Sequence, residues 1–141
     1  MQYVCDAGAA TWFRIETVGE ATRESQEMDH AVERFFRDAY DKAVQSYAPP
    51  KSLPAIEQKI GLKGHIQRSM PRFLTLRDKD GTALVTAMLP PEGMDTRGFR
   101  PVIVGKANAD PYATYSDAIR LLAEHTKLTL DPARCYPYRR G

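Results

Sequence analysis

Between Met28 and Tyr47 the apolar residues Met28, Ala31, Val32, Phe35, Phe36, Ala39, Ala43, Val44 and Tyr47 return at intervals of three and four. On a helix of 3.6 residues per turn they wind into one stripe, so the rest of the chain must supply a surface that buries it. Pro49-Pro50 cannot continue a helix, and one long helix is expected from about Thr22 or Ser25 to about Tyr47. Its other side interleaves Glu27, Glu33, Arg34, Arg37, Asp38, Asp41 and Lys42, as a solvated helix face does.

The covering surface reads as a sheet. Residues 72–77 and 82–89 flank Asp78-Lys79-Asp80-Gly81, where Asp and Gly accept the positive φ of a tight reversal. A first hairpin is expected from residues 3–6 and 11–17 across Ala7-Gly8-Ala9-Ala10. In its second strand Phe13, Ile15 and Thr17 are expected inward, which leaves Trp12 on the face of Arg14 and Glu16 and partly exposed. Residues 101–105 read as a short buried strand. Ser52 caps a short helix with Pro54 in its first turn, which carries Ile56 and Ile60 until Gly61 interrupts it, and a further turn covers residues 65–69. A last helix starts at Asp110-Pro111 and runs to about His125 with Tyr115, Ile119 and Leu122 inward. Leu128, Leu130, Tyr136 and Tyr138 are expected to pin the tail.

This order predicts an α+β fold. A mainly antiparallel sheet of about five strands, two hairpins plus one strand, is expected, with a long amphipathic helix, a short helix and a C-terminal helix packed on one face. A length of 141 residues suits a single globular domain over 1–141.

Several function classes lack their signatures. No run approaches the roughly 18 apolar residues of a membrane span, and no basic leader precedes an apolar segment, so a soluble cytoplasmic protein with no membrane partner and with Cys5 and Cys135 reduced is expected. Walker loops, dinucleotide-binding glycines, nucleophile elbows and His-Glu-x-x-His are absent. Cys5 lies in an apolar strand and reads as a small inert hydrophobe. His30 and Glu33 have the spacing of helix-borne ligands, yet three scattered histidines and no Cys-x-x-Cys supply no completing set. No catalytic residue, metal or cofactor is expected.

Charge is distributed unevenly. Residues 1–33 hold seven acids against Arg14 and Arg23 in a chain whose net charge is +2, while residues 58–77 hold Lys59, Lys63, Arg68, Arg72 and Arg77 and no acid. Either these cations join Arg139 and Arg140 of the string Cys135-Tyr-Pro-Tyr-Arg-Arg140 on one open surface, or they are neutralised by Glu20, Glu24 and Glu27. Five positions apart on a strand, Arg72 and Arg77 belong on opposite faces. Gly61-Leu62-Lys63-Gly64 resembles the Gly-x-x-Gly loop of KH domains, where glycines let the backbone approach nucleic-acid phosphates. The resemblance covers that loop alone. Ile66 comes one position early for that family's spacing, so no functional residue is carried over, and the glycines also read as punctuation between two helices.

The leading functional reading is a non-enzymatic regulatory or accessory domain that binds another macromolecule, foremost a protein, with Trp12 and the basic residues as candidate contacts. Self-association is compatible with it. The alternative is a nucleic-acid-binding protein, extending to a small toxin-like ribonuclease, that uses Lys59, Lys63, Arg68, Arg72, Arg139 and Arg140.

Overall fold

The computed structural model describes residues 1–137, and in it five strands pair antiparallel in chain order: β1 (Gln2–Ala7), β2 (Ala10–Arg14), β3 (Arg72–Arg77), β4 (Ala83–Leu89) and β5 (Val102–Val104). The α+β class and the five-stranded antiparallel sheet are therefore as expected. Gly8 and Gly81 take φ of 70° and 81° in the two tight turns, a region in which a Cβ would be strained. Asp78 Oδ1 fixes the second turn by accepting from the N–H groups of Asp80 and Thr82, both at 2.9 Å.

The helices are α1 (Val18–Met28), α2 (Val32–Ser46), α3 (Ala55–Ser69) and α4 (Tyr112–Thr126). The single long helix expected over residues 22–47 is two helices. Thr17 opens α1 with a capping box, its hydroxyl accepting from Glu20 N–H while Glu20 accepts from Thr17 N–H. Asp29 at φ 52° closes α1, and the chain turns before α2. In the opposite sense, the two short pieces expected over residues 52–69 are the one helix α3, which runs through both Gly61 and Gly64.

Helices cover both faces of the sheet, not one. Leu74 and Leu76 of β3, with Trp12, Val85, Ala87 and Leu89 beside them, pack on Ala118, Ile119 and Leu122 of α4 and on Leu128, Leu130 and Cys135 of the tail. Phe73, opposite Met88 in the register, points the other way and packs with Ile15, Ala21, Val32, Phe36, Ala43 and Met70. Trp12 is thus fully buried, and its indole N–H donates to Ala118 O at 2.9 Å. The expectation of an exposed Trp12 fails because the Arg14 side of β2 is the floor of a second core.

The tail is anchored as expected through Leu128 and Leu130, both buried. Its backbone also joins β5: Ile103 N–H donates to Tyr136 O at 2.9 Å and Tyr136 N–H to Pro101 O at 2.8 Å. Tyr138, Arg139 and Arg140 lie outside the described residues.

Candidate functional site

Lys59 and Lys63 stand one turn apart on α3, both exposed. They line a cleft of about 410 Å³ between α2, α3 and the β2–α1 joint, whose apolar surface comes from Ile15, Phe36, Tyr40, Leu62, Ile66 and Met70. Glu16 is the one acid among the residues lining it. Neither lysine forms an ion pair among the described residues. Arg14 also lines the cleft, but it is engaged: Nη2 donates to Gln67 O at 2.9 Å and Nη1 lies 3.4 Å from Glu92.

The other basic candidates do not join this pair. Arg68, five residues beyond Lys63, lies across Gly64, where an added Cβ would meet its Nη1 at 2.9 Å. Arg72 is half-buried and donates from Nε to Pro90 O at 2.7 Å; burial lowers its pKa, with Glu92 opposing and Arg14 adding to the shift. Arg77 faces the opposite side of the sheet, as its spacing from Arg72 predicts, and meets the acidic N-terminal third at Glu24 (2.7 Å) and Glu27 (3.6 Å). Of the expected cluster, Lys59 and Lys63 alone share a cleft within the described residues.

Gly61 is explained by packing. A Cβ there would lie 2.1 Å from Tyr47 Oη, so the glycine makes room for a tyrosine at the end of α2. Tyr47 in turn sits 5.3 Å from the His65 ring. The Gly-x-x-Gly segment is helix interior, and the loop that the KH resemblance implies is not formed.

α3 has an unusual surface. None of its fifteen residues is buried, and Ile56 and Ile60 are 69% and 68% exposed. Ile56, Lys59, Ile60 and Lys63 follow at i, i+3, i+4 and i+7, one stripe of alternating apolar and cationic groups beside the cleft.

No protein family, curated protein or solved structure matches this chain. Among the described residues no helix is long and apolar enough to cross a membrane, and no group of three or more His, Cys, Asp or Glu residues could hold a metal ion.

The pairing of Arg77 with Glu24, one of the two outcomes expected for the basic residues, belongs to a larger polar constellation with Thr86 and His30 that was not anticipated. Glu24 has no exposure to water, yet Arg77 Nη2 donates to its Oε1 at 2.7 Å and Thr86 Oγ1 donates to its Oε2 at 2.6 Å. His30 Nε2 lies 2.8 Å from the same threonine oxygen. Because Thr86 gives its single proton to Glu24, His30 must donate from Nε2, leaving Nδ1 to face Val32 N–H at 3.4 Å. Burial holds the His30 pKa below its ordinary value despite the pull of Glu24 and Asp29. Its sequence signal was present in part: Ala21, Glu24 and Met28 recur at i, i+3 and i+7, which sets a carboxylate on the inward stripe of α1.

Proposed function

We propose that this chain is a non-enzymatic accessory domain that binds a protein partner through the α2–α3 cleft. The recognised feature is a short partner segment: an apolar side chain enters the cleft over Leu62 and Ile66, and acidic side chains meet Lys59 and Lys63. The observation that carries this reading is the α3 stripe, two strongly exposed isoleucines alternating with two lysines that have no ion pair among the described residues. Apolar side chains left in water gain about 1.5–3 kcal/mol each on full burial, and adjacent cations select an acidic neighbour.

The nucleic-acid alternative has less support. Phosphate binding strengthens with each counterion released, and Arg72 and Arg77 are committed elsewhere. Selection from a random-peptide display library separates the two. Enriched peptides are expected to pair Leu, Ile or Phe with Asp or Glu, and to lose about tenfold or more in affinity on Lys59→Glu/Lys63→Glu. Failure to enrich any peptide, or equal binding by that variant, would remove the reading; RNA and DNA titrated at low salt serve as the competing arm.

A further inference from the structure

A polar cavity of about 250 Å³ lies where the opening residues of β1, the end of β2, the start of β3 and the last turn of α4 meet. Arg14 and Arg72 both line it. Arg14 stands opposite Leu74 in the β2–β3 register, so Arg72, two residues from Leu74, is its diagonal neighbour on the same face of the sheet. Two guanidiniums therefore share one corner. Like charges at neighbouring strand positions oppose folding, and an anion set between them relieves that cost. The acid among the lining residues is Glu92, which fills this place poorly: it meets Arg14 Nη1 across a long 3.4 Å, and its side chain is 68% exposed.

The Arg72 guanidinium is oriented without being used up. Its Nε donates to Pro90 O at 2.7 Å, which fixes the plane of the group. Nη1 and Nη2 have no hydrogen bond or ion pair among the described residues, and neither atom is sealed from water. Those two nitrogens carry most of the donors of an arginine fork. Arg14, whose side chain is 11% exposed, gives Nη2 to Gln67 O at 2.9 Å and keeps Nη1 for the long contact with Glu92. His125, exposed on the last turn of α4, lines the same cavity, and an imidazole offers an N–H in either tautomer. Both arginines stay protonated at any neutral pH, so the corner holds two fixed positive charges against one loosely placed carboxylate.

We infer that this corner binds a phosphate dianion, free or as the terminal group of a small monoester, which takes the place of the Glu92 carboxylate between Arg14 and Arg72. Charge selects it. A monoester phosphate carries about −1.5 to −2 at pH 7 and so matches two guanidiniums, whereas a carboxylate or a phosphodiester brings a single charge. Arginine forks also take phosphate oxygens in pairs, and the remaining oxygen is left for His125. The cavity is smaller than the roughly 300–1,000 Å³ of sites for drug-sized ligands, as suits a compact head group. Lys59 and Lys63 belong to the other cleft, and Arg14 is the one residue common to both linings.

NMR titration of the full chain with inorganic phosphate and phenyl phosphate, at neutral pH and an ionic strength held constant with chloride, tests this, with dimethyl phosphate and acetate as monoanion probes. The dianions are expected to bind with dissociation constants of about 1 mM, and the tighter of the two tells a monoester from the free ion. They should move the His125 ring, the Arg72 Nε–H and the amides of Tyr3 and Val4, and bind about fivefold or more tighter than the monoanions. Arg72→Gln should weaken them about tenfold. Glu92→Gln, at an exposed residue, removes the competing carboxylate and should tighten them about threefold, a gain that a misfolded chain does not mimic. Lys59→Gln/Lys63→Gln should leave both affinities unchanged. The inference is overturned if neither dianion moves these resonances at about 10 mM, if dimethyl phosphate or acetate binds as tightly, if folded Arg72→Gln binds like the original chain, if Glu92→Gln brings no gain, or if the lysine variant loses the binding.

Discussion

A carboxylate with no access to water is the costliest single group in this molecule, and Glu24 is tolerated because Arg77 and Thr86 meet one oxygen each. Removing one partner of such a pair is far worse than replacing both, since the survivor is left charged and unpaired. Glu24→Gln should therefore destabilise by about 3 kcal/mol, the lower end of the usual range, because Glu27 stands 3.6 Å from Arg77 and offers partial compensation. Glu24→Leu combined with Arg77→Met should recover most of that loss. Urea midpoints of the single and double variants check this, and a double variant as unstable as the single would show that the ion pair is not the source. The residue scale was half legible beforehand. The i, i+3, i+7 placement of Glu24 with Ala21 and Met28 pointed inward, but its partners on β3 and β4 are 53 and 62 residues away. Trp12 failed differently: alternation along β2 separates two faces correctly, and it carries no information on whether the second face is wet.

Among the elements, the joint between α1 and α2 and the continuity of α3 are where periodicity misled. The apolar stripe from Met28 to Tyr47 passes through the joint without a gap, so spacing alone favoured one helix. Thr17-Val18-Gly19-Glu20 was the available signal for an earlier start, because it matches a capping box, and Asp29 tolerates the left-handed conformation that ends α1. In α3 the glycines suggested breaks, whereas one of them admits Tyr47 and the other is covered by a flexible arginine. The two should respond oppositely to alanine. Gly64→Ala needs only a shift of the Arg68 guanidinium and gains helix propensity, so a stabilisation of about 0.5–1 kcal/mol, or about 2–4 °C in Tm, is expected. Gly61→Ala gains the same propensity but must displace the Tyr47 ring from His65, and should be neutral or destabilising. Thermal melts of both variants decide, and equal stabilisation would mean that Tyr47 does not pack as described.

Across the whole molecule, a sheet with a core on each face makes stability depend on groups at both, and their titrations bound a pH window. His30 is held below its ordinary pKa of about 6.5 by burial, with Glu24 of α1, Asp29 of the joint and its own backbone opposing the shift, Thr86 of β4 accepting its proton and Arg100 lining one cavity with it. The unfolded chain therefore binds a proton there first, and stability falls as pH drops below about 6.5 toward the folded value. A second loss follows in acid. Burial would raise Glu20, but the N-terminal ammonium and the N–H groups of Glu16 and Thr17 outweigh it and hold the carboxyl low, so its contribution is present above the unfolded carboxylate value of about 4.3 and disappears as pH falls through its folded pKa. On the alkaline side burial raises Cys5 and Cys135, aided by Asp6 and Asp131 respectively and opposed at Cys135 by the Tyr112 hydrogen bond. The unfolded thiols ionise first, so stability declines as pH rises above about 8.5. Urea midpoints measured from pH 3 to 10 should show a plateau between about pH 6.5 and 8.5 with a fall on each side. His30→Gln, which keeps a donor for Thr86, should erase the step just below pH 6.5 and leave the steeper acid limb below about pH 4 in place. A midpoint in the original chain that stays level from pH 7 to 5, or an identical step in His30→Gln, would show that burial of this imidazole does not set the neutral edge of the window.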